Sequence, residues 1–430
     1  MFLFNADEDC YQTDVRAVAS GFRVYGPTRE LRRNGACLLW IEDRFVRVTQ
    51  NHRRVLIECQ RPQFDTKAIC SLEWLFEEEE IILRRRWSGE FGAWHWQEPR
   101  IVASHLKLAA LAFGVARVPA AVRLAPGHCL RMATRGRSRS RIVRDVSFHA
   151  PFRLTRDETV TAVRRLVRLS LASCPQPMAF LLSGGIDSSA IAAAACATRK
   201  DVRAFVFSLR RPVRPQPLSE RDLPNARCVA AHLGIPLTEI LLDGRTIERQ
   251  VPLAVQLAET ARGTIIDECA ALISVAKAVR RAGYDAVCMG EAADDLFGGF
   301  KFALRLYRGA RLRRYYRHEL DVSLPDELAV LQNVFRPWGI SVIDPYWTSE
   351  LVRLGYNLPL HLRIDPHRLM KTVLREAFAD ALPHEIVSRP KCVTRDATQV
   401  RDVLEQRFGR SRERYRTFFN FNTSAIVRVR

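Results

Sequence analysis

The sequence lacks the features that mark membrane-spanning, secreted and zinc-binding proteins. No apolar run reaches the roughly 20 residues that a helix needs to cross a bilayer. The first residues, MFLFNADEDC, have no basic region and no long apolar core, so they do not resemble a secretory signal. The 11 cysteines are an odd number and form no CxxC pair or zinc-like spacing. We therefore expect reduced thiols and a cytoplasmic protein without a membrane span.

Acidic residues are scarce relative to basic ones. The chain has 47 Asp and Glu against 67 Lys and Arg, which gives a formal net charge of +20. This excess suits a polyanionic partner such as nucleic acid, nucleotide phosphate or an acidic peptide, but arginine-rich codon usage also produces it. No RRM, KH or zinc-finger pattern accompanies the charge, so we expect no nucleic-acid partner.

The chain of 430 residues predicts two domains. Residues 1–150 contain short runs typical of strands and end in an arginine-rich stretch, 131–145, that predicts a surface loop. In residues 151–430, the strand-like segments MAFLLSG, VRAFVFSL, LTEILLD and DAVCMG alternate with helical segments. This alternation predicts an α/β fold with a doubly wound parallel sheet, followed by a helical C-terminal part.

One predicted strand ends in the stretch FLLSGGIDSS, residues 180–189. In open α/β sheets, ligands bind beyond the carboxyl ends of the strands. Gly184 and Gly185 allow the backbone to approach an anion, and the N–H groups of the following helix face that anion. The stretch is neither a Walker A loop nor a GxGxxG motif.

The SGGxDS pattern resembles the PP-loop of the ATP pyrophosphatases, which cleave ATP between the α and β phosphates. The resemblance implies ATP and Mg²⁺ as cofactors, with Asp187 as a ligand of the metal. It also implies that Phe207, Ser208 and Leu209 of the next strand lie near the adenine. The full set expected to bind the nucleotide is Leu182, Ser183, Gly184, Gly185, Asp187, Ser188, Ser189, Phe207, Ser208, Leu209 and Gly290.

Two further segments resemble the asparagine synthetase and β-lactam synthetase family. GEAADDLFGGF, residues 290–300, is similar to the GEGSDELFGGY signature of asparagine synthetases, which implies Asp294 as a second metal ligand. Glu291 falls where asparagine synthetases have Glu and β-lactam synthetase has Tyr. KTVLREAFADALPHEIVSRPKC, residues 371–392, is similar to a segment of β-lactam synthetase. This similarity implies that Lys371 contacts ATP phosphate and that Lys391 is the catalytic lysine.

Residues 84–130 resemble, in order, segments of the glutaminase domain of asparagine synthetase. We therefore expect residues 1–150 to form a smaller α+β domain of that type, and residues 151–430 to form the ATP-binding synthetase domain. A glutaminase of this family needs a cysteine directly after the initiator Met. Position 2 is Phe2, and the first cysteine is Cys10. The expected domain is a degenerate glutaminase without its nucleophile.

Family members without that nucleophile join a carboxylate to an amine of the same substrate. The resemblance implies adenylation of the carboxylate, with Glu291 as a candidate base for the amine. Because Glu291 replaces the tyrosine of the β-lactam dyad, we favour a lasso-peptide macrolactam synthetase. Its expected partners are a precursor peptide, a leader-peptide-recognition protein and a cysteine protease. The alternative is a small-molecule amide ligase, similar to β-lactam synthetase or to an ammonia-dependent asparagine synthetase.

Overall fold

The N-terminal part of the protein is built from antiparallel strands. The structure, a computed structural model, describes residues 2–5, 28–33, 36–41, 46–59, 70–88, 94–96, 101–105, 122–135, 141–144, 148–365, 369–411 and 414–418. The N-terminal strands are β1 Phe2–Asn5, β2 Thr28–Arg33, β3 Ala36–Ile41, β4 Val46–Gln50, β5 Arg54–Cys59, β6 Cys70–Leu75, β7 Glu80–Arg85, β8 Trp94–Trp96, β9 Ile101–Ala103, β10 Val122–Arg123, β11 His128–Ala133 and β12 Arg141–Arg144. They form two six-stranded sheets, ordered β10-β8-β9-β1-β3-β2 and β12-β11-β7-β6-β5-β4.

The two sheets share one apolar core. Alternate residues point inward, so that Phe2 and Phe4 of one sheet are buried together with Val55 and Ile57 of the other. The stretch 131–145, expected as a loop, is partly strand, because its ends pair with each other as β11 and β12. Strand β12 lies at a sheet edge, where a polar sequence is tolerated. The prediction of a loop is therefore wrong for residues 131–133 and 141–144, and residues 136–140 and 145 lie outside the described residues.

The C-terminal part contains a five-stranded parallel sheet with helices. Its strands are β13 Ala179–Leu181, β14 Arg203–Leu209, β15 Leu237–Leu242, β16 Ala286–Cys288 and β17 Ser341–Ile343. Its helices are α1 Arg156–Ala172, α2 Ile186–Thr198, α3 Asp222–Leu233, α4 Gly244–Ala258, α5 Gly263–Arg281, α6 Ala293–Phe297, α7 Lys301–Leu306, α8 Gly309–His318, α9 Leu324–Phe335, α10 Ser349–Asn357, α11 Leu360–Arg363, α12 Thr372–Ala377, α13 His384–Val387, α14 Thr394–Ala397 and α15 Val400–Phe408. A π-helical segment, Glu319–Ser323, joins α8 to α9, and 3₁₀ turns cover Leu218–Glu220, Arg336–Trp338 and Arg416–Phe418.

The order of the parallel strands is β15-β14-β13-β16-β17. The chain moves outward from β13 to β15 and then returns to the other side of β13 with β16. The order therefore reverses between β13 and β16, which is where such sheets bind ligands. The expected parallel α/β sheet is confirmed. Sequence analysis did not predict helix α4, which contains Pro252, or the short strand β17.

Ion pairs and a hydrogen bond are among the contacts that join the N-terminal strands to the C-terminal part. Arg85, only 1% exposed, forms an ion pair with Asp326 of α9 at 2.7 Å, and Arg123 binds the same carboxylate at 2.8 Å. The indole nitrogen of Trp347 donates a hydrogen bond to the backbone oxygen of Ser88 at 2.8 Å. Within the described ranges, no helix combines the length and apolar character that crossing a bilayer requires.

Candidate active site

A cleft opens at the carboxyl ends of the neighbouring strands β13 and β16. It encloses about 910 Å³, including the part that is open to solvent. One wall is the loop that follows β13, and the opposite wall is the loop that follows β16. Of the predicted site residues, those lining the cleft are Leu182, Ser183, Gly185, Asp187, Ser188, Phe207, Gly290, Glu291, Asp294 and Lys391. Parallel strands thus bring together two motifs that are about 100 residues apart in the sequence.

The loop after β13 places the N-terminus of α2, with its first-turn backbone N–H groups, at the cleft. Gly184 has φ +70°, and a Cβ there would lie 2.4 Å from the backbone carbon of Asn225. Gly185 is the N-cap of α2 and offers no side chain to the first-turn N–H groups. The hydroxyl of Ser188 accepts a hydrogen bond from the Ser183 amide at 3.1 Å and so shapes the loop. The arrangement suits a phosphate group at the start of α2.

Two aspartates and two lysines form a charged group at the cleft floor. Lys391 Nζ lies 2.9 Å from Asp294 Oδ2 and 3.3 Å from Asp187 Oδ2. Lys371, which is fully buried, forms ion pairs with both carboxylates. Burial raises the pKa of Asp294, but the charges of Lys371 and Lys391 outweigh it and hold that pKa well below the usual range. Asp294 is therefore ionised at neutral pH.

The two aspartates fit a magnesium ion. Asp187 Oδ1 is buried and accepts no hydrogen bond, so one carboxylate oxygen is available as a ligand. Mg²⁺ in nucleotide sites takes one or two protein carboxylates and completes its octahedron with phosphate oxygens and water. The described residues contain no group of three or more His, Cys, Asp or Glu that could hold a metal alone. The two aspartates therefore suit a magnesium ion whose remaining ligands come from a bound polyphosphate and water.

Glu291 has a neighbour that sequence analysis did not identify. Burial, followed by the nearby charges of Glu268 and Asp344, raises the pKa of Glu291 well above its usual range. Glu268 of α5 lines the same cleft, and burial raises its pKa as well. No motif surrounds Glu268, which follows Asp267 in α5, so the sequence carried no signal for it.

Two buried arginines fix the loop that carries Lys391. Arg389 donates hydrogen bonds to the backbone oxygens of Ser219 and Ser183, at 2.7 and 3.2 Å. Its third contact is the Asp222 carboxylate at 3.2 Å. Arg375 donates to the backbone oxygen of Arg389 at 2.9 Å. These bonds join the RPK loop, residues 389–391, to the SGG loop, residues 183–185. The sequence motif includes Arg389 but did not predict its structural role.

Five predicted residues lie outside the cleft lining. Ser189 is fully buried in α2, and Ser208 and Leu209 lie near the end of β14. Lys371 lies beneath the aspartates, with φ +63° at the N-terminus of α12. A contact between ATP and any of these residues stays a prediction. The fifth, Gly184, has a left-handed conformation that forms the turn of the loop after β13.

The architecture of the cleft agrees with a known family. The family model described as asparagine synthase matches residues 161–336 and 309–422, more than half of the chain. The chain belongs to the asparagine synthase family. Both cleft motifs and both lysines lie within the match. The strands of residues 2–144 lie outside it, so the glutaminase-like character of that part stays a prediction.

Curated relatives of this family member include ligases of two kinds. The chain is 31% identical over 247 residues to carboxyethyl-arginine beta-lactam-synthase of Streptomyces clavuligerus, covering 55% of this chain and 44% of the relative. It is 25% identical over 217 residues to the glutamine-hydrolyzing asparagine synthetase of Gallus gallus, covering 49% and 38%. The match thus spans less than half of either relative. A solved tRNA thiolase from Methanococcus maripaludis aligns at TM-score 0.27 and 12% identity, over 61% of this chain and 78% of the thiolase. This weak alignment supports no conclusion about fold or function.

Proposed function

We propose that this protein is an ATP-dependent amide ligase that forms AMP and pyrophosphate. The proposal rests on one observation: the SGG loop, Asp187, Asp294 and Lys391 lie at one cleft. This cleft is at the point between β13 and β16 where the strand order reverses. Each of these groups suits a polyphosphate: backbone N–H groups, two carboxylates for a metal, and an ammonium.

In the first step, an oxygen of the substrate carboxylate attacks the α-phosphorus of ATP. The bond from that phosphorus to the bridging oxygen breaks, and pyrophosphate leaves with the electron pair. Lys391 stabilises the negative charge that develops on the phosphoryl oxygens, because its ammonium is held in place by two carboxylates. The N–H groups at the start of α2 hold the pyrophosphate. Asp187 and Asp294 would hold Mg²⁺, which supplies neutralising charge to the phosphates.

In the second step, an amine nitrogen attacks the carbonyl carbon of the acyl-adenylate, and AMP leaves. The amine must lose a proton, which Glu291 accepts. Burial and the neighbouring carboxylates raise the pKa of Glu291 and so make it a stronger base than a solvated glutamate. When amine and carboxylate belong to one bound substrate, their proximity supplies a large part of the rate.

We infer further that the substrate is a peptide and the product a macrolactam of the lasso type. Glu291 stands where β-lactam synthetase has Tyr, which supports a substrate other than a β-lactam precursor. In this proposal, an Asp or Glu side chain of a precursor peptide is adenylated and the N-terminal amine attacks. A leader-binding protein and a cysteine protease would act with it. The small-molecule alternative has support of its own, since the relative that forms a β-lactam is 31% identical.

ATP–pyrophosphate exchange tests the proposal. Full-length protein is incubated with ATP, Mg²⁺, labelled pyrophosphate and one carboxylate at a time: aspartate, carboxyethyl-arginine, or synthetic peptides with an internal Asp or Glu and a free N-terminus. Label should enter ATP with a peptide, and AMP should accumulate as the peptide loses one water. Exchange with a small carboxylate alone would favour the alternative. Formation of ADP in place of AMP would overturn both.

Asp187→Asn provides the decisive variant because it keeps the side-chain shape and removes the charge. It should lower exchange at least about 100-fold. The matched control is Asp380→Asn, which removes an exposed carboxylate paired with Arg164 far from the cleft. This control should leave exchange within about twofold of the unmodified protein.

A further inference from the structure

A strongly basic segment follows the second motif, and the proposed chemistry does not use it. Residues 301–318 contain six arginines and one lysine but no Asp or Glu; the next acid is Glu319. The segment comprises α7 and α8 and begins at Lys301, two residues after the glycine turn Gly298–Gly299. Like charges three or four residues apart destabilise a helix, so this concentration weakens α8 in the absence of an anionic partner.

The arginines of α8 face solvent. The helix buries only Leu312 and Tyr316, which lie four residues apart on one side. Arg311, Arg313 and Arg314 are exposed. In the part of the chain that the structure describes, none of these three forms an ion pair with a carboxylate. The outer surface of α8 therefore presents a positive charge that no side chain of the described protein neutralises.

Aromatic rings connect this surface to the active site. Tyr307 stacks on Tyr315 with ring centroids 5.5 Å apart, and Phe300 meets Tyr315 edge-on at 5.8 Å. All three rings are half-buried. Phe300 directly follows Gly299, where even a Cβ would lie 1.7 Å from Asp294 Oδ1. The rings thus form an apolar strip that leads from the arginines toward the charged cleft floor.

We propose that α8 and this strip bind an acidic segment of the peptide substrate and hold it beside the cleft. Guanidinium groups pair with carboxylates through charge-assisted hydrogen bonds, and the rings contact the aliphatic parts of the same peptide. The proposal rests on the function proposed above and adds to it a substrate class, a peptide carrying several carboxylates. Carboxylates outside the cleft supply affinity, while one carboxylate inside it is adenylated.

Fluorescence anisotropy on the full-length protein without ATP tests the proposal. The probes are two labelled synthetic peptides of equal length, one containing several Glu and Tyr residues and the other with Gln in place of each Glu. A labelled single-stranded RNA is the third probe. The Glu peptide should bind about tenfold more tightly than the Gln peptide, and its affinity should fall with added salt. Equal affinities for the two peptides, or tighter binding of the RNA, would overturn the proposal.

A pair of triple variants locates the binding surface. Arg311→Ser, Arg313→Ser and Arg314→Ser together should weaken binding of the Glu peptide about tenfold. The control removes the same charge from three other exposed arginines, by Arg153→Ser, Arg165→Ser and Arg353→Ser, and should bind as the unmodified protein does. An equal loss in both variants would show non-specific attraction to the net charge and refute the assigned surface.

Replacing the same three α8 arginines with lysine keeps the charge and should keep most of the affinity. If the serine variant does not fold, the lysine variant and the comparison of Glu and Gln peptides on the unmodified protein still test whether α8 binds an acidic peptide. Binding is measured without nucleotide, so its failure is separate from failure of the proposed function. Exchange that persists with a small carboxylate while no acidic peptide binds would refute only the inference about α8.

Discussion

Tyr346 donates a hydrogen bond from its phenol oxygen to the backbone oxygen of Asp187, with the two oxygens 2.8 Å apart. Tyr346 is fully buried and follows β17, whereas Asp187 lies in the first turn of α2. The Asp344 carboxylate of the same segment accepts a hydrogen bond from the Ala292 amide at 2.7 Å. The segment after β17 therefore braces both walls of the cleft, although no cleft motif includes it.

Tyr346→Phe should destabilise the protein by about 1 kcal/mol, because one buried hydrogen bond is lost while the ring packing is kept. It should also lower pyrophosphate exchange, since the carboxylate of Asp187 loses part of its support. Urea unfolding and exchange assays measure the two effects. Tyr356→Phe, which removes a 3.2 Å hydrogen bond to Asp321 outside the cleft, is the control and should leave exchange unchanged.

The two lysines of the cleft floor should respond differently to truncation. Lys371→Ala leaves two carboxylates without their fully buried counter-charge and should reduce the free energy of unfolding by about 3–5 kcal/mol. Lys391→Ala affects a lysine that is 23% exposed, so it should fold nearly normally and lose adenylation. Thermal unfolding and exchange assays on both variants check this. A stable, inactive Lys371→Ala protein would contradict the structural assignment.

Gly299→Ala should inactivate the protein, because the added Cβ would lie 1.7 Å from Asp294 Oδ1 and 2.7 Å from the Lys371 side chain. Either the carboxylate or the lysine must move, and displacement by about 1 Å can cost on the order of 100-fold in rate. Gly244→Ala, whose Cβ would come no closer than 3.3 Å to Val403, is the matched control. Activity in Gly299→Ala equal to that of the control would show that the position of Asp294 is not critical.

Stability should depend on pH through Asp222. Burial raises the pKa of Asp222 to about 7, and the opposing charge of Arg389 lowers it only in part. The folded protein therefore holds a proton that the unfolded chain releases near its ordinary pKa of 3.8. Because the folded state binds the extra proton between these values, the contribution of Asp222 to stability falls as pH rises from about 4 to 7.

Asp222→Asn cannot titrate and should flatten that part of the pH dependence, because its amide stays neutral at every pH. Urea unfolding at several pH values between 4 and 7 measures the slope. Asp380→Asn, at an exposed ion pair, should keep the slope of the unmodified protein. An unchanged slope in Asp222→Asn would show that another group titrates in this range.

The sequence predicted the parallel sheet because its strands are short apolar runs between strong helix formers. β13, β14 and β16 are almost entirely buried, as strands covered on both faces must be. The same logic failed for α4, because Pro252 interrupts its pattern, and for β17, which is only three residues long. It also failed for residues 131–133 and 141–144, which form strands, since the edge strand β12 tolerates the charge of a loop.

The motifs brought Asp187, Asp294 and Lys391 to one cleft, as the resemblance implied. The sequence did not identify the residues that reach the cleft only through tertiary packing. Glu268 enters the cleft from a helix with no motif, and Asp222 reaches it only because α3 packs beside the SGG loop. Contacts of this kind depend on tertiary geometry, which a pattern along the chain does not encode.

The N-terminal strands contribute none of the described residues that line the cleft, yet side chains of the C-terminal part bind to them. Without residues 2–144, Asp326 of α9 would lose both of its arginine partners and the indole of Trp347 would lose its acceptor. Trp347 immediately follows Tyr346, which donates a hydrogen bond to Asp187 beside the SGG loop. Cutting the chain near residue 148 would therefore not leave the C-terminal part with an intact surface. It would uncover Asp326 and Trp347, which the N-terminal strands contact in the whole protein.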